Sequence, residues 1–208
     1  ECLLRMQEVA SSNLAWSIRL CDTERIRQMK KAYLIHGTST RDDDWFPWLE
    51  QAAKPAINLD RIWLPNPFNP NPQEWAAAID QQVPVTDGLI LVAHSLGCIS
   101  ALRFIAYHKV HDARLLLVGA FDQPLPAYPQ LNSFISPALD YQQIAPKVSA
   151  ATVITAKDDP IAPFQGSVAV AHHLGAKLIV QETGGHFLGP AGFTTFPLAA
   201  KELQRIAK

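Results

Sequence analysis

The sequence predicts an α/β fold in which about six mostly parallel strands form a sheet with helices on both faces. From Met29 onward, short apolar runs alternate with helix-like segments, which is the pattern of parallel strands joined by helical crossovers. One run, Leu89 to Ala93, is continuously apolar, as expected for a strand buried on both faces. The 208 residues, 48% hydrophobic and 18% charged, suffice for one well-filled core. We therefore expect one compact domain over residues 29–208, preceded by an N-terminal extension, residues 1–28.

The apolar runs assign the strands in chain order. Strands are predicted at Lys31–His36, Ile57–Trp63, Gly88–Ala93, Arg114–Val118, Thr152–Ala156 and Lys177–Gln181. Helices are predicted near Trp45–Ala53, Asn71–Gln82, Cys98–His108, Phe164–Leu174 and Phe196–Ala207. The second helix has the clearest start, because Asn71 is a capping residue, Pro72 suits the first helical position, and Glu74 can reach back toward the cap.

Two connections are unusual. Leu64–Pro72 contains four prolines and should be stiff, either as a rigid connector or as a preformed pocket wall. Phe121–Lys147 is longer than an ordinary crossover loop and contains five prolines. It is interpreted as a lid or specificity loop, or alternatively as a surface crossover with a short helix around Tyr141.

Charge and cysteine content narrow the class of function. A formal net charge of −1 provides no basic surface for nucleic acid or anionic lipid, so a small-molecule substrate is expected. Three cysteines are too few for a disulfide framework and indicate a cytoplasmic protein. No stretch approaches a membrane span, and residues 1–28 do not resemble a signal peptide.

Reactive residues follow four of the predicted strands. Because the carboxyl ends of parallel strands share one edge of the sheet, these residues should lie together. They are His36-Gly37-Thr38, His94-Ser95-Leu96-Gly97, Lys157-Asp158-Asp159-Pro160 and Thr183-Gly184-Gly185-His186. A serine, an acid and a histidine in this chain order are typical of the α/β-hydrolase fold.

The segment around Ser95 predicts a nucleophile elbow. A sharp strand-to-helix turn exposes a serine hydroxyl but requires small residues two positions before and after it. Ala93 and Gly97 satisfy that requirement, in a mild departure from the commoner G-x-S-x-G. His186 is the candidate base, and the two preceding glycines give its loop backbone freedom.

Three acids are candidates for the partner of the histidine. Asp159 is favoured because Pro160 and Pro163 stiffen its turn, Asp158 is the near rival, and Asp122 follows a strand where some α/β-hydrolases keep their acid.

The oxyanion hole is expected from backbone N–H groups. One donor should be Leu96, and the second lies just past His36 and Gly37, with Thr38 favoured.

Other residues have expected roles in or near the substrate pocket. Trp45, Phe68 and Phe187 are candidate apolar walls, with ordinary core packing as the alternative, and His36 and His94 are expected beside the pocket. Cys98 is expected to pack rather than react. The remaining histidines form no metal set, and neither metal nor cofactor is expected. These are His108, His111, His172 and His173.

Together these motifs resemble a known family. The residues that carry the resemblance are "YLIHG", "WFPWL", "LPNPFNPNPQEW", "LVAHSLGCISALRF", "KDDPIAPF" and "GGHFLGPAGFTTFP". The sequence is similar to the small serine hydrolases of the bacterial YdeN type, which are related to an animal retinoblastoma-binding serine hydrolase. The resemblance covers nearly everything after Met29. It implies Ser95 as nucleophile, Asp159 as acid and His186 as base, without a large cap domain.

The sequence thus predicts a cofactor-independent serine hydrolase that cleaves a small ester, or a thioester or amide, through an acyl-enzyme. The alternative is a protein-interaction module that keeps the fold with little physiological turnover. Lyase chemistry on the same scaffold is a third, weaker interpretation.

Overall fold

The computed structural model describes residues 29–208, and the expected extension, residues 1–28, lies outside the described residues. The strands are β1 (Lys30–Ile35), β2 (Ile57–Arg61), β3 (Ile90–His94), β4 (Ala113–Val118), β5 (Val148–Ala156) and β6 (Lys177–Gln181). The helices are α1 (Phe46–Ala53), α2 (Pro72–Gln82), α3 (Leu96–Tyr107), α4 (Asn132–Ile135), α5 (Tyr141–Ile144), α6 (Phe164–Leu174) and α7 (Pro197–Ile206). Single turns of 3₁₀ helix occur at Pro129–Leu131, Ala145–Lys147 and Gly189–Ala191.

The six strands form one sheet in the order β2-β1-β3-β4-β5-β6. The pairs β1/β3, β3/β4, β4/β5 and β5/β6 are parallel. Ile35 pairs with Ala93 and His94 pairs with Val118, so the carboxyl ends of the central strands are level. The loops that follow these strands therefore gather at one edge of the sheet.

Both faces of the sheet are covered, as predicted. Alternate residues of β1 point to opposite faces, with Ile35 in one apolar cluster and Leu34 in the other. The first cluster includes buried residues of α2, α3 and α6, and the second includes those of α1 and α7. Strand β3 is buried along its whole length, which explains its unbroken apolar sequence.

Helix α2 begins where its capping signal predicted. The Asn71 side chain accepts hydrogen bonds from the backbone N–H groups of Gln73 and Glu74, at 2.9 and 3.1 Å. These bonds satisfy two of the helix's unpaired donors.

Several boundaries differ from the predicted ones by one to four residues, and two of these differences have a clear local cause. Strand β5 begins at Val148, four residues earlier than predicted, because Ser149, Ala150 and Ala151 lack the bulk that marks an apolar run. Helix α3 begins at Leu96 and not at Cys98, because no loop separates it from β3.

The long connection between β4 and β5 contains only short helical turns. Besides the predicted helix around Tyr141, it includes α4 and two 3₁₀ turns. It folds back on the body of the domain, since Arg103 of α3 donates to the carbonyl oxygens of Phe134 and Pro137. Residues 29–208 therefore form no large cap. In the same part of the chain, no helix is both long enough and apolar enough to cross a membrane.

Candidate active site

Ser95 is the single residue between the end of β3 and the start of α3. Its backbone has φ 56° and ψ −126°, a conformation that non-glycine residues rarely adopt. Its N–H donates to the Val118 carbonyl oxygen at 2.9 Å, and its own carbonyl accepts from the Cys98 N–H at 2.9 Å. Ser95 therefore occupies the apex of a tight turn, as its sequence context predicted.

The small residues around Ser95 have different reasons for their size. A side chain at Gly97 would bring its Cβ into steric conflict with the carbonyl oxygens of Ile35 and His36. Helix α3 can thus lie against the end of β1 only with glycine at this position. Ala93 is fully buried within β3, so a methyl group is accommodated there.

Asp159, His186 and Ser95 form a continuous chain of hydrogen bonds. The Nε2 atom of His186 lies 2.7 Å from the Ser95 Oγ, and its Nδ1 lies 2.7 Å from the Asp159 Oδ2. A carboxylate only accepts, so Nδ1 carries the ring proton and Nε2 is free to accept from the serine hydroxyl. The other Asp159 oxygen accepts from the N–H groups of Ile161 and Ala162, and the carboxylate is fully shielded from solvent.

The other two candidate acids contact different groups. Asp158 accepts from the backbone N–H groups of Gly184 and Gly185, at 3.3 and 2.8 Å. Asp122 accepts from the Tyr141 hydroxyl at 2.9 Å. Of the three acids, Asp159 alone has a hydrogen bond to His186, whereas Asp158 fixes the loop that carries it.

The loop bearing His186 has an unusual backbone. Gly184, Gly185 and Phe187 all have positive φ, of 154°, 54° and 56°. The Trp45 indole N–H donates to the Phe187 carbonyl oxygen at 3.1 Å, and the Asp44 carboxylate accepts from the Gly189 N–H at 2.6 Å. These two contacts hold the strained loop after the histidine, and the Asp158 contacts with Gly184 and Gly185 hold it before the histidine.

Two aromatic residues expected on the pocket wall lie elsewhere. Trp45 and Phe187 are completely buried, and both rings pack against Phe196. Their rings face the hydrophobic layer beneath the loop because burying them there supports its conformation. They belong to the core.

His94 lies directly behind the histidine loop. Its Nε2–H donates to the His186 carbonyl oxygen at 2.9 Å, and its ring centroid is 4.9 Å from that of His186. Burial, and next the nearby His186, lower the pKa of His94 to about 3, so the ring is neutral near pH 7. Its Nδ1 has no partner among the described residues.

His36 is also buried, and it is not among the residues that line the cavity beside Ser95. Its Nδ1–H donates to the Gly37 carbonyl oxygen at 2.9 Å, and its ring contacts the Trp75 ring edge to face. Burial lowers its pKa. His36 therefore shapes the loop after β1, in contrast to the expectation that it lines the pocket.

The residues expected to form the oxyanion hole surround Ser95. A Cβ at Gly37 would lie 2.8 Å from the Ser95 Cβ and 3.3 Å from its Oγ, so glycine permits this approach. Thr38 lines the cavity beside Ser95. Leu96 is the first residue of α3, where backbone N–H groups have no partner within the helix.

A cavity of about 280 Å³ opens beside Ser95 and His186. Phe68 and His94 line it, as expected from the sequence. The other lining residues are Thr38, Ser39, Pro70, Phe121, Leu125, Tyr128, Gln130, Leu131, Ile161 and Leu188. Several come from the segment that the sequence marked as a lid or specificity loop, so this segment forms one wall.

Gly119 is a site residue that the sequence interpretation missed. It follows β4 with φ 59°, and a Cβ there would lie 2.9 Å from the His186 Cε1 and 3.1 Å from its Nδ1. The missing side chain leaves room for the imidazole. The feature of the sequence that could have identified Gly119 is its position immediately after a buried strand, in "LLLVGAF".

Cys98 does not take part in this arrangement. Its thiol is fully buried and contacts the Val118 carbonyl oxygen, and burial raises its pKa. Within residues 29–208, no three His, Cys, Asp or Glu side chains are grouped so that they could hold a metal ion.

Comparisons with known proteins show the family and the fold. The serine hydrolase family matches residues 32–205. YdeN of Bacillus subtilis (strain 168), named as a hydrolase, is 34% identical over 174 residues, which cover 81% of this chain and 92% of YdeN. The YdeN crystal structure matches with a TM-score of 0.79 at 32% identity, covering 86% of this chain and 98% of that one.

More distant proteins are similar to this chain in sequence or in fold. The serine hydrolase RBBP9 of Rattus norvegicus is 24% identical over 163 residues, covering 76% of this chain and 87% of RBBP9. The mouse alpha/beta hydrolase domain-containing protein 10 matches with a TM-score of 0.60 at 17% identity, covering 85% and 87% of the two chains. The fold is that of the α/β-hydrolases, and the chain belongs to the serine hydrolase family.

Proposed function

We propose that this protein hydrolyses a small ester through an acyl-enzyme formed on Ser95. The observation that carries the proposal is the buried chain Asp159–His186–Ser95, with both hydrogen bonds at 2.7 Å, beside a cavity of about 280 Å³. Esters are favoured over thioesters and amides because they are the easiest of these acyl donors to cleave. The family supports a small-molecule substrate, and the cytoplasmic location expected from the cysteine content is part of the proposal.

The first half-reaction acylates the serine. As the Ser95 Oγ attacks the ester carbonyl carbon, the His186 Nε2 takes its proton. The Asp159 carboxylate remains ionised, holds the proton on Nδ1 and stabilises the imidazolium. When the tetrahedral intermediate collapses, the carbon–oxygen bond to the alcohol breaks and Nε2 returns the proton to the leaving oxygen.

The second half-reaction releases the acid. Nε2 takes a proton from water, and the resulting hydroxide attacks the acyl carbon. The bond to the Ser95 Oγ then breaks, and Oγ recovers the proton. In both steps the N–H groups of Leu96 and Thr38 would stabilise the oxyanion, and Gly37 would allow the second loop to approach. Losing one such donor typically lowers the rate about a hundredfold or more.

A burst experiment tests this proposal. Mixing the protein with p-nitrophenyl acetate should release one equivalent of nitrophenol per active site, and acid quenching should leave an acetyl group on the peptide containing Ser95. Ser95→Ala should show neither signal. Acetylation at another residue, or turnover unchanged in Ser95→Ala, would contradict the proposal. Absence of any acylation would favour the interaction-module alternative.

A further inference from the structure

The cavity beside Ser95 carries no fixed charge. Among the described residues that line it, none is Asp, Glu, Lys or Arg. Of its two histidines, His94 is neutral and His186 is engaged with Ser95 and Asp159. Its remaining polar side chains are uncharged, on Thr38, Ser39, Tyr128 and Gln130. A charged substrate group placed here would lose its hydration without gaining a counter-charge.

One residue that lines the cavity is a phenylalanine with a solvent-exposed side chain. Phe68 is 77% exposed, although it stands at the mouth of a cavity that is otherwise largely apolar. It lies in a turn closed by the Asn69 N–H to Asn66 carbonyl bond at 2.9 Å. The Trp75 indole N–H donates to the Pro65 carbonyl oxygen at 2.8 Å and fixes the start of the same loop.

The segment after β4 contributes further apolar residues to the lining. They are Phe121, Leu125 and Leu131, and all three are almost fully buried. An apolar group that fills the cavity would contact these residues and Phe68, whose ring the turn already holds in place. Such preorganised apolar surface favours binding of an apolar group.

We propose that the substrates are neutral esters with an apolar acyl chain of limited length, and that Phe68 determines this specificity by packing on the chain. This inference rests on the proposed function above. The acyl group is assigned to the cavity because it stays bound to Ser95 after the alcohol leaves, so its contacts serve both half-reactions. A volume of about 280 Å³ is slightly below the usual range for drug-sized ligands, which limits the chain length.

Active-site titration precedes the test. A fluorophosphonate probe measures the concentration of reactive Ser95 in each variant, and kcat/KM is calculated with that concentration. If wild type does not react, the proposed function fails, and this inference fails with it. If wild type reacts but hydrolyses no neutral ester, the inference alone is overturned.

Chain length is then varied with a constant leaving group, from p-nitrophenyl acetate to the dodecanoate. We expect kcat/KM to rise roughly fourfold per added methylene and then to fall within the series as the cavity fills. Phe68→Ala should lower kcat/KM for the preferred ester roughly tenfold, and for the acetate less than about twofold.

Tyr107→Ala is the matched control. Tyr107 is also an exposed aromatic residue, at 71%, but it lines a separate surface groove. This variant should behave like wild type. Equal effects of Phe68→Ala and Tyr107→Ala on kcat/KM would overturn the role of Phe68. A kcat/KM that depends on the length of the alcohol and not on that of the acyl chain would overturn the assignment of the acyl chain to this cavity.

Charge is tested with esters of equal chain length that end in a methyl, carboxylate or ammonium group. The neutral ester should be preferred over both charged ones by roughly a hundredfold. Preference for either charged ester would overturn the inference.

Discussion

Ser95 and His186 meet at one 2.7 Å hydrogen bond, but the segments that carry them are held in different ways. Ser95 is fixed locally, because β3 ends at His94 and α3 begins at Leu96, so two regular elements determine its position. His186 lies on a loop whose partners are far away in sequence. Those partners are Asp44, Trp45, His94, Gly119 and Asp158.

Substitutions in the serine turn and in the histidine loop should therefore have different effects on folding and on catalysis. Disturbing the serine turn requires breaking a buried strand or helix, and so should affect folding. Disturbing the histidine loop can alter the position of the imidazole while the sheet stays intact. Because catalysis depends steeply on alignment, such changes should appear in kcat with little loss of stability.

The largest expected effect compares the neighbouring acids of the loop after β5. Asp159→Asn should lower kcat roughly ten-thousandfold, because an amide cannot hold the imidazole in the required tautomer or stabilise the imidazolium. Asp158→Asn should lower kcat less than about tenfold, since it touches only the loop backbone. Steady-state hydrolysis of p-nitrophenyl acetate measures both. A loss confined to Asp158→Asn would reverse the assignment.

Next in size is the effect of filling the space beside His186. Gly119→Ala would place a methyl 2.9 Å from the imidazole and should lower kcat roughly a hundredfold by displacing the ring. Gly175→Ala is the control, because Gly175 ends α6 with nearly the same φ, 60°. Among residues 29–208, a Cβ there would meet no atom within 4 Å beyond its neighbours along the chain. Both variants should lose similar stability in urea denaturation. Equal kcat values for the two would show that contact with His186 is unimportant.

A smaller effect is expected at His94, which acts through the backbone of the histidine loop. His94→Leu removes the donor to the His186 carbonyl oxygen and should lower kcat roughly tenfold, with KM nearly unchanged. His94→Gln keeps an N–H donor and should recover most of this loss. If the two variants had the same kcat, the hydrogen bond would have no positioning role.

The last expected effect changes stability with pH and leaves kcat at pH 7.5 out of the comparison. The pKa of His94 is about 3 in the folded chain against an ordinary value of 6.5. The unfolded state therefore binds the proton first, and stability decreases as pH falls from about 6.5 toward 3, at up to about 1.4 kcal/mol per pH unit. Urea unfolding of wild type and His94→Gln from pH 7.5 to 5 measures this. Parallel curves would contradict it.

Much of the fold was predictable because the sheet is made of buried strands that read as apolar runs. The start of β5 was missed where the strand is built of small residues. The serine turn was also predictable, since Ala93, Ser95 and Gly97 are close in sequence and small residues two positions before and after a serine are typical of such a turn. The approach of Gly97 to the Ile35 carbonyl explains the need for glycine at that position in this chain.

The supports of the histidine loop were not predictable in the same way. The hydrogen bond from Trp45 to the Phe187 carbonyl spans 142 residues, and no local pattern encodes it. Trp45 and Phe68 are both aromatic residues near site loops in the sequence. Trp45 is nevertheless fully buried, whereas Phe68 is 77% exposed. The direction in which each ring points depends on tertiary packing, so the sequence alone could not separate core from pocket wall.

The central claim is that Ser95 is an activated nucleophile within this hydrogen-bonded chain. The most direct measurement is the intact mass of the protein after treatment with a fluorophosphonate, with wild type beside Ser95→Ala. We predict a single adduct on wild type, mapped to the peptide containing Ser95, and none on the variant. An unmodified wild type, or an adduct that persists in Ser95→Ala, would contradict the claim.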